Sequence, residues 1–228
     1  MLFLLTFLLV TPATFAQSMD AITKEVQDQI TPEKALEMLK EGNERFLNGE
    51  MHERDLMQMV SQTAKGQYPF AVVLGCIDSR VPPELVFDQG IGDIFTPRIA
   101  GNFVNEDILG SMEFATKVAG SKIIVVLGHS SCGAVKGACD HVELGNLTHT
   151  LSNIMPAINA VNAVLDVPGP RNSSNSEYVE HVSHANVKLT VQDILNRSPV
   201  MKEMVDNGEL MVVGAMHDVS TGRVTFMD

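Results

Sequence analysis

Two stretches of the chain are apolar at every position instead of at alternate ones. Phe70-Ala71-Val72-Val73-Leu74 ends at Gly75, and Ile123-Ile124-Val125-Val126-Leu127 ends at Gly128. A strand wetted on one face alternates apolar and polar residues. An unbroken apolar run that leads into a loop and a helical pattern is what a parallel strand covered on both faces looks like. Ile94-Phe95 is the heart of a shorter candidate strand between them in sequence. Leu210-Met211-Val212-Val213 and Val224-Thr225-Phe226, joined through Ser220-Thr221-Gly222, read as two more.

Helical periodicity fills the intervals. Thr31-Pro32-Glu33 combines a hydroxyl cap, proline at the first helical position and an acid in the first turn. The helix that follows turns Ala35, Leu36, Leu39 and Phe46 inward and Lys34, Glu37, Lys40 and Glu44 outward, and Gly49 lies near its end. Asn105 can cap a helix through about Val118. Leu147 to Leu165 and Tyr178 to Leu195 read as helical, separated by the polar Pro168-Gly169-Pro170-Arg171-Asn172-Ser173-Ser174 break. No repeat and no dividing linker is present. The expectation is one α/β domain with a mainly parallel central β-sheet flanked by helices and a helical N-terminal arm.

Ahead of this frame, Leu2 to Val10 is an uncharged apolar run followed by Thr11-Pro12-Ala13-Thr14-Phe15-Ala16-Gln17. It is about half the ~20 residues a bilayer-spanning helix needs. A short apolar segment ending in small residues reads as a secretory signal with cleavage after Ala16, although no basic residue precedes Leu2. Residues 1–16 are therefore expected to be a signal peptide and residues 17–228 a single domain, exported to a periplasm or secreted. The alternative is a buried N-terminal strand or helix.

Composition narrows the partners. The chain has 228 residues, 45% hydrophobic and 19% charged, the balance of a globular protein. Its 16 basic and 28 acidic residues give a net charge of -12, which repels phosphate backbones and anionic lipid. A small-molecule substrate is expected, with no nucleic acid and no membrane partner once the signal is removed. Three cysteines are too few for a disulfide-stapled scaffold, so their role is chemistry or packing.

In a parallel α/β sheet, ligands bind outside the carboxyl ends of the strands. The first strong strand delivers Gly75-Cys76-Ile77-Asp78-Ser79-Arg80 to that edge, and the second delivers Gly128-His129-Ser130-Ser131-Cys132-Gly133. Singly, Cys76 reads as a small buried hydrophobe and His129 as a hydrogen-bonded loop residue. Jointly, two thiolates and an imidazole suit Zn²⁺ and leave one tetrahedral position for reaction. A closed structural site wants a fourth ligand, and no C-x-x-C pair supplies one. Cys139 and His141 read as structural or exposed, and His52, His149, His181, His184 and His217 have no comparable spacing. Other motifs fail on residues: the G-x-S-x-G turn meets Cys132 at its last position, and Gly90-Ile91-Gly92 meets Phe95 where a dinucleotide loop needs its third glycine.

Cys76-Ile77-Asp78-Ser79-Arg80 with His129-Ser130-Ser131-Cys132-Gly133 resembles the paired C-x-D-S-R and H-x-x-C-G signature of β-class carbonic anhydrases. The likeness continues through Val81-Pro82, Phe87-Asp88, Arg98-Ile99-Ala100-Gly101-Asn102 and Gly110-Ser111-Met112-Glu113-Phe114-Ala115. It is close from Gly66 to Ala138 and rests on element order alone elsewhere. The resemblance implies a carbonate dehydratase, a zinc lyase interconverting CO₂ and bicarbonate through zinc-bound hydroxide, with one Zn²⁺ per subunit. It implies Cys76, His129 and Cys132 as ligands and Asp78 and Arg80 as the dyad beside the metal, Asp78 becoming a ligand only in a closed form. It further implies Gln67 as a hydrogen-bond donor to substrate and Phe95 as a wall of the CO₂ pocket.

A subset of the family carries an inhibitory bicarbonate site built around a Trp that is Val73 here, in a chain with no Trp, which implies the open type. Family members assemble as dimers or larger oligomers with an N-terminal helical arm embracing the neighbour, so the resemblance implies a homodimer or homotetramer. The amphipathic Thr31 to Leu47 stretch fits that arm and fits equally an ordinary surface helix on its own sheet. The competing functions are the same site acting on CS₂ or COS, a non-catalytic zinc-stabilised binding protein, and a thiol-redox module using Cys76 and Cys132.

Overall fold

The two apolar runs lie side by side at the centre of a five-stranded sheet. The computed structural model describes residues 20–227; the proposed signal segment lies outside them. The strands are β1 (Ala71–Gly75), β2 (Ile94–Phe95), β3 (Ile123–His129), β4 (Met211–His217) and β5 (Val224–Phe226). Their spatial order is β2-β1-β3-β4-β5, with β2, β1, β3 and β4 mutually parallel and β5 antiparallel to β4. Every residue of β1 and β3 is buried, which is why neither run contains a polar break.

Successive side chains of those strands enter opposite layers. Ala71, Val73, Ile123, Val125 and Leu127 pack with Ala35 and Leu39 of the N-terminal helices, while Val72, Leu74, Ile124 and Val126 pack with Leu109, Met112, Val187 and Ile194. The helices supplying these layers are α1 (Lys24–Gln29), α2 (Pro32–Asn48), α3 (Leu56–Thr63), α4 (Pro83–Val86), α5 (Glu106–Glu113), α6 (Gly133–Cys139), α7 (Gly145–Ser152), α8 (Met155–Val164), α9 (Ser176–Arg197) and α10 (Pro199–Asp206). A third cluster, under α6 to α9, gathers Cys76, Cys132, Cys139, Ile154, Val161 and Tyr178. None of these helices is long and apolar enough to cross a membrane.

Thr31 caps α2 as expected, accepting from Lys34 N, and Gly49 ends it in the left-handed conformation. Within the chain, Ala35 and Leu39 are fully buried against its own sheet. Asn43 ties α2 to the far hairpin, donating to Val86 O and Gly222 O and accepting from Val224 N. Gln27 fixes α1 by donating to Pro69 O and Ala119 O, each at 2.8 Å.

Two helices depart from the sequence pattern. Asn105 does cap α5, but the α-helix ends at Glu113 and continues as a π-helical turn, Phe114–Val118, that leaves Phe114 and Val118 exposed. The stretch from Leu147 to Leu165 is two helices. Asn153 and Ile154 break it, Ile154 turns fully into the core, and Pro156 sits in the first turn of α8, where its missing N–H is harmless. Helices α1 and α4 are too short to show a period of their own.

Candidate metal centre

β1 stops at Gly75 and hands over to Cys76, while β3 runs two residues further to His129. The parallel register pairs Gly75 with Leu127, so Cys76 and His129 emerge at one edge. Ser130 and Ser131 then turn the chain, Ser131 at φ 55°, to place Cys132 as the N-cap of α6. The two sulfurs stand 4.0 Å apart, and both lie within 4.8 Å of a ring nitrogen of His129. All three side chains are buried. Among the described residues this is the one cluster of three or more such groups close enough to share an ion.

The donor set fits zinc. Tetrahedral Zn–S bonds of about 2.3 Å separate two sulfurs by about 3.8 Å. His129 Nδ1 lies 3.0 Å from Ser130 O, and since a carbonyl only accepts, Nδ1 carries the proton. That leaves the lone pair on Nε2, which is buried and has no hydrogen-bond partner, as a waiting ligand atom. The thiols show the same readiness. The hydrogen bond from Cys132 pulls the Cys76 thiol well below its ordinary range, whereas the neighbouring Cys76 sulfur and burial push Cys132 up. The pair therefore holds one negative charge readily, and a second when a cation replaces the shared proton.

Asp78 stands at the mouth of this cluster, its Oδ2 3.9 Å from His129 Nε2. Arg80 grips it with a two-pronged pair, Nε to Oδ1 at 2.9 Å and Nη2 to Oδ2 at 2.8 Å, and adds its backbone N–H to Oδ1 at 3.0 Å. These bonds hold the Asp78 carboxyl well below the usual carboxylate range. Arg98 braces the segment from behind, donating to Cys76 O at 2.8 Å and Asp78 O at 2.6 Å.

Five of the residues singled out in the sequence thus converge: Cys76, His129, Cys132, Asp78 and Arg80. Gln67 does not join them within one chain; it is exposed in the loop that precedes β1, at the opposite end of the strand. Phe95 lies on the edge strand β2, packed edge-on against Phe114 at 6.4 Å and lining a recess of about 720 Å³ with Val72 and Ala115. Cys139 is buried at the end of α6, where burial pushes its thiol up to about 11, and His141 is exposed.

His217, set aside in the sequence for want of comparable spacing, lies at the same sheet edge. The strand read from Leu210 to Val213 extends to His217, which pairs with His129 in the β3–β4 register. His217 is buried with Nδ1 unpartnered, and burial together with His129 lowers its pKa. A longer reading of the β4 pattern through Gly214 and Ala215 would have found it.

Comparison with known proteins agrees with this geometry. The family model described as carbonic anhydrase matches residues 71–224. Carbonic anhydrase 2 of Mycobacterium tuberculosis is 37% identical over 198 residues, covering 86% of this chain and 93% of that one. The β-carbonic anhydrase CafA of Aspergillus fumigatus superposes with a TM-score of 0.66 at 29% identity, over 75% of this chain and 81% of that one. A tetrameric β-carbonic anhydrase from Sordaria macrospora does so with a TM-score of 0.66 at 27% identity, over 73% and 84%. A match that opens on the first residue of β1, closes on the first of β5 and spans both halves of the ligand cluster places this chain in the carbonic anhydrase family, in its β class.

Proposed function

We propose that the chain is a zinc-dependent carbonate dehydratase that converts CO₂ and water to bicarbonate and a proton, and the reverse. The observation that carries this is the meeting of a three-ligand cluster with a carboxylate whose position is fixed by an arginine fork. Cys76, His129 and Cys132 would hold the ion. Bound there, zinc supplies the Lewis acidity that makes water a nucleophile near neutral pH.

The protein's own groups do the rest. Ser130 O keeps His129 in the tautomer that presents Nε2. Arg80 occupies one side of each Asp78 oxygen, leaving Oδ2 to accept a hydrogen bond from the attacking water and aim it. Held ionised, Asp78 orients that water without taking its proton, which passes on to solvent or buffer. A purely structural zinc site would have no use for this pairing, and no feature of the site favours CS₂ or COS over CO₂.

Stopped-flow CO₂ hydration with metal analysis tests the proposal. Cys76→Ser should lose both zinc and activity. Full activity in a metal-free preparation would overturn it.

The same proposal extends to assembly and location. A homodimer or homotetramer is supported by the tetrameric relative and by Phe114, 53% exposed beside the edge strand. Residues 1–16 as a cleaved signal, residues 17–228 as one domain and export to a periplasm or medium are supported by the apolar Leu2 to Val10 run and the small residues after it. N-terminal sequencing of the secreted protein should begin at Gln17.

A further inference from the structure

The segment after β2 encloses the Cys76 loop with more than Arg98. Gly75 N donates to Pro97 O, Ile99 N donates to Gly75 O, and the backbone N–H of Gly101 points at the Cys76 sulfur at 3.4 Å. Gly101 can do this because of its backbone: φ is 87°, and a Cβ there would stand 2.6 Å from Ile154 Cδ1. A residue in so particular a conformation needs holding. The holder is Asn186, a buried amide in the middle of α9, whose Nδ2 donates to Gly101 O at 2.7 Å. Asn186 reaches Gly101 from 85 residues further along the chain.

We infer that Asn186 is a positioning residue for the metal centre: by fixing Gly101, it keeps an N–H···S hydrogen bond on the Cys76 thiolate and so limits how much electron density that sulfur gives the metal. This rests on the proposal that Cys76, His129 and Cys132 hold one ion. Groups bonded to a metal's ligands orient them and tune their donor strength, and losing one typically costs 10–100-fold in affinity or activity. The buried setting, with Cys76 4% exposed, keeps water from replacing the lost donor.

The test reads the sulfur instead of the turnover. Cobalt(II)-loaded protein shows a thiolate-to-metal charge-transfer band, whose energy falls when the thiolate loses a hydrogen bond. Asn186→Leu, close in volume and without a donor, should move that band to lower energy because the sulfur donates more strongly, and should weaken zinc binding about tenfold in competition with a chelator because the segment that presents Cys76 is no longer fixed. Thr190→Val, which removes a similarly buried polar group one turn along α9, should leave both unchanged. Should Asn186→Leu fail to fold, Asn186→Ser shortens the reach to Gly101 in less space and should give a smaller shift in the same direction. A band and zinc affinity unmoved in a folded Asn186 variant would overturn the inference. A parent protein whose cobalt form has no thiolate band would instead overturn the ligand assignment on which it rests.

Discussion

Arg80 meets Asp78 through both carboxylate oxygens, whereas a lysine could offer only a point charge on a flexible stem. Asp78→Ala should therefore keep most of its zinc while kcat falls about 10²-fold, because the attacking water loses its aim and not its activation. Arg98→Ala should lower kcat with a smaller loss of zinc than Cys76→Ser shows, since the Arg98 side chain donates to the Cys76 and Asp78 carbonyls and not to a ligand atom. Steady-state CO₂ hydration alongside metal content separates these outcomes, and equal loss of zinc in all three would refute the division of roles. The ligands and the dyad were legible in the sequence because each lies within a few residues of a strand end that its own apolar run announces. Asn186 and His217 were not. Their importance arises from contacts across elements far apart in the chain, which no local pattern encodes.

Helices and strands were legible in proportion to how fully tertiary burial is written into them. β1 and β3 read clearly because two covered faces admit only apolar residues. Ile124→Ala, which empties a fully buried position in β3, should cost about 2–5 kcal/mol, measured by denaturant unfolding of the zinc-loaded protein. The break at Ile154 was hidden because its cause is a core contact and not a turn signal, with Pro156 the sole local hint. Another cross-element device lies between α2 and α4. Asp88, fully buried, accepts from Arg45 Nε at 2.5 Å, from Arg54, and from His52 N. Burial alone would raise the Asp88 carboxyl, yet the two arginines more than offset it and hold it below the ordinary range. A carboxyl lowered on folding contributes stability above its unfolded pKa, about 3.9 for Asp, and loses it as pH falls through the folded value. Asp88→Asn should thus cost about 1–3 kcal/mol at pH 7 by leaving the partly buried Arg45 and Arg54 without their counter-charge. The cost should shrink below about pH 4. A constant difference down to pH 2 would contradict this.

For the whole molecule, the -12 charge left nucleic acid and anionic membranes out of consideration and left the substrate open. Only the small cluster at the sheet edge narrowed it. Gln67 and Phe95 both stand away from the cysteine pair. Light scattering of the zinc-loaded protein should report a dimer or tetramer, and a monomer would contradict the proposed assembly. The central claim concerns what surrounds the metal. Zinc-edge X-ray absorption on the purified protein should show two sulfurs at about 2.3 Å and two lighter nitrogen or oxygen neighbours at about 2.0 Å. A first shell without sulfur, or one filled by four protein ligands in the active enzyme, would contradict it.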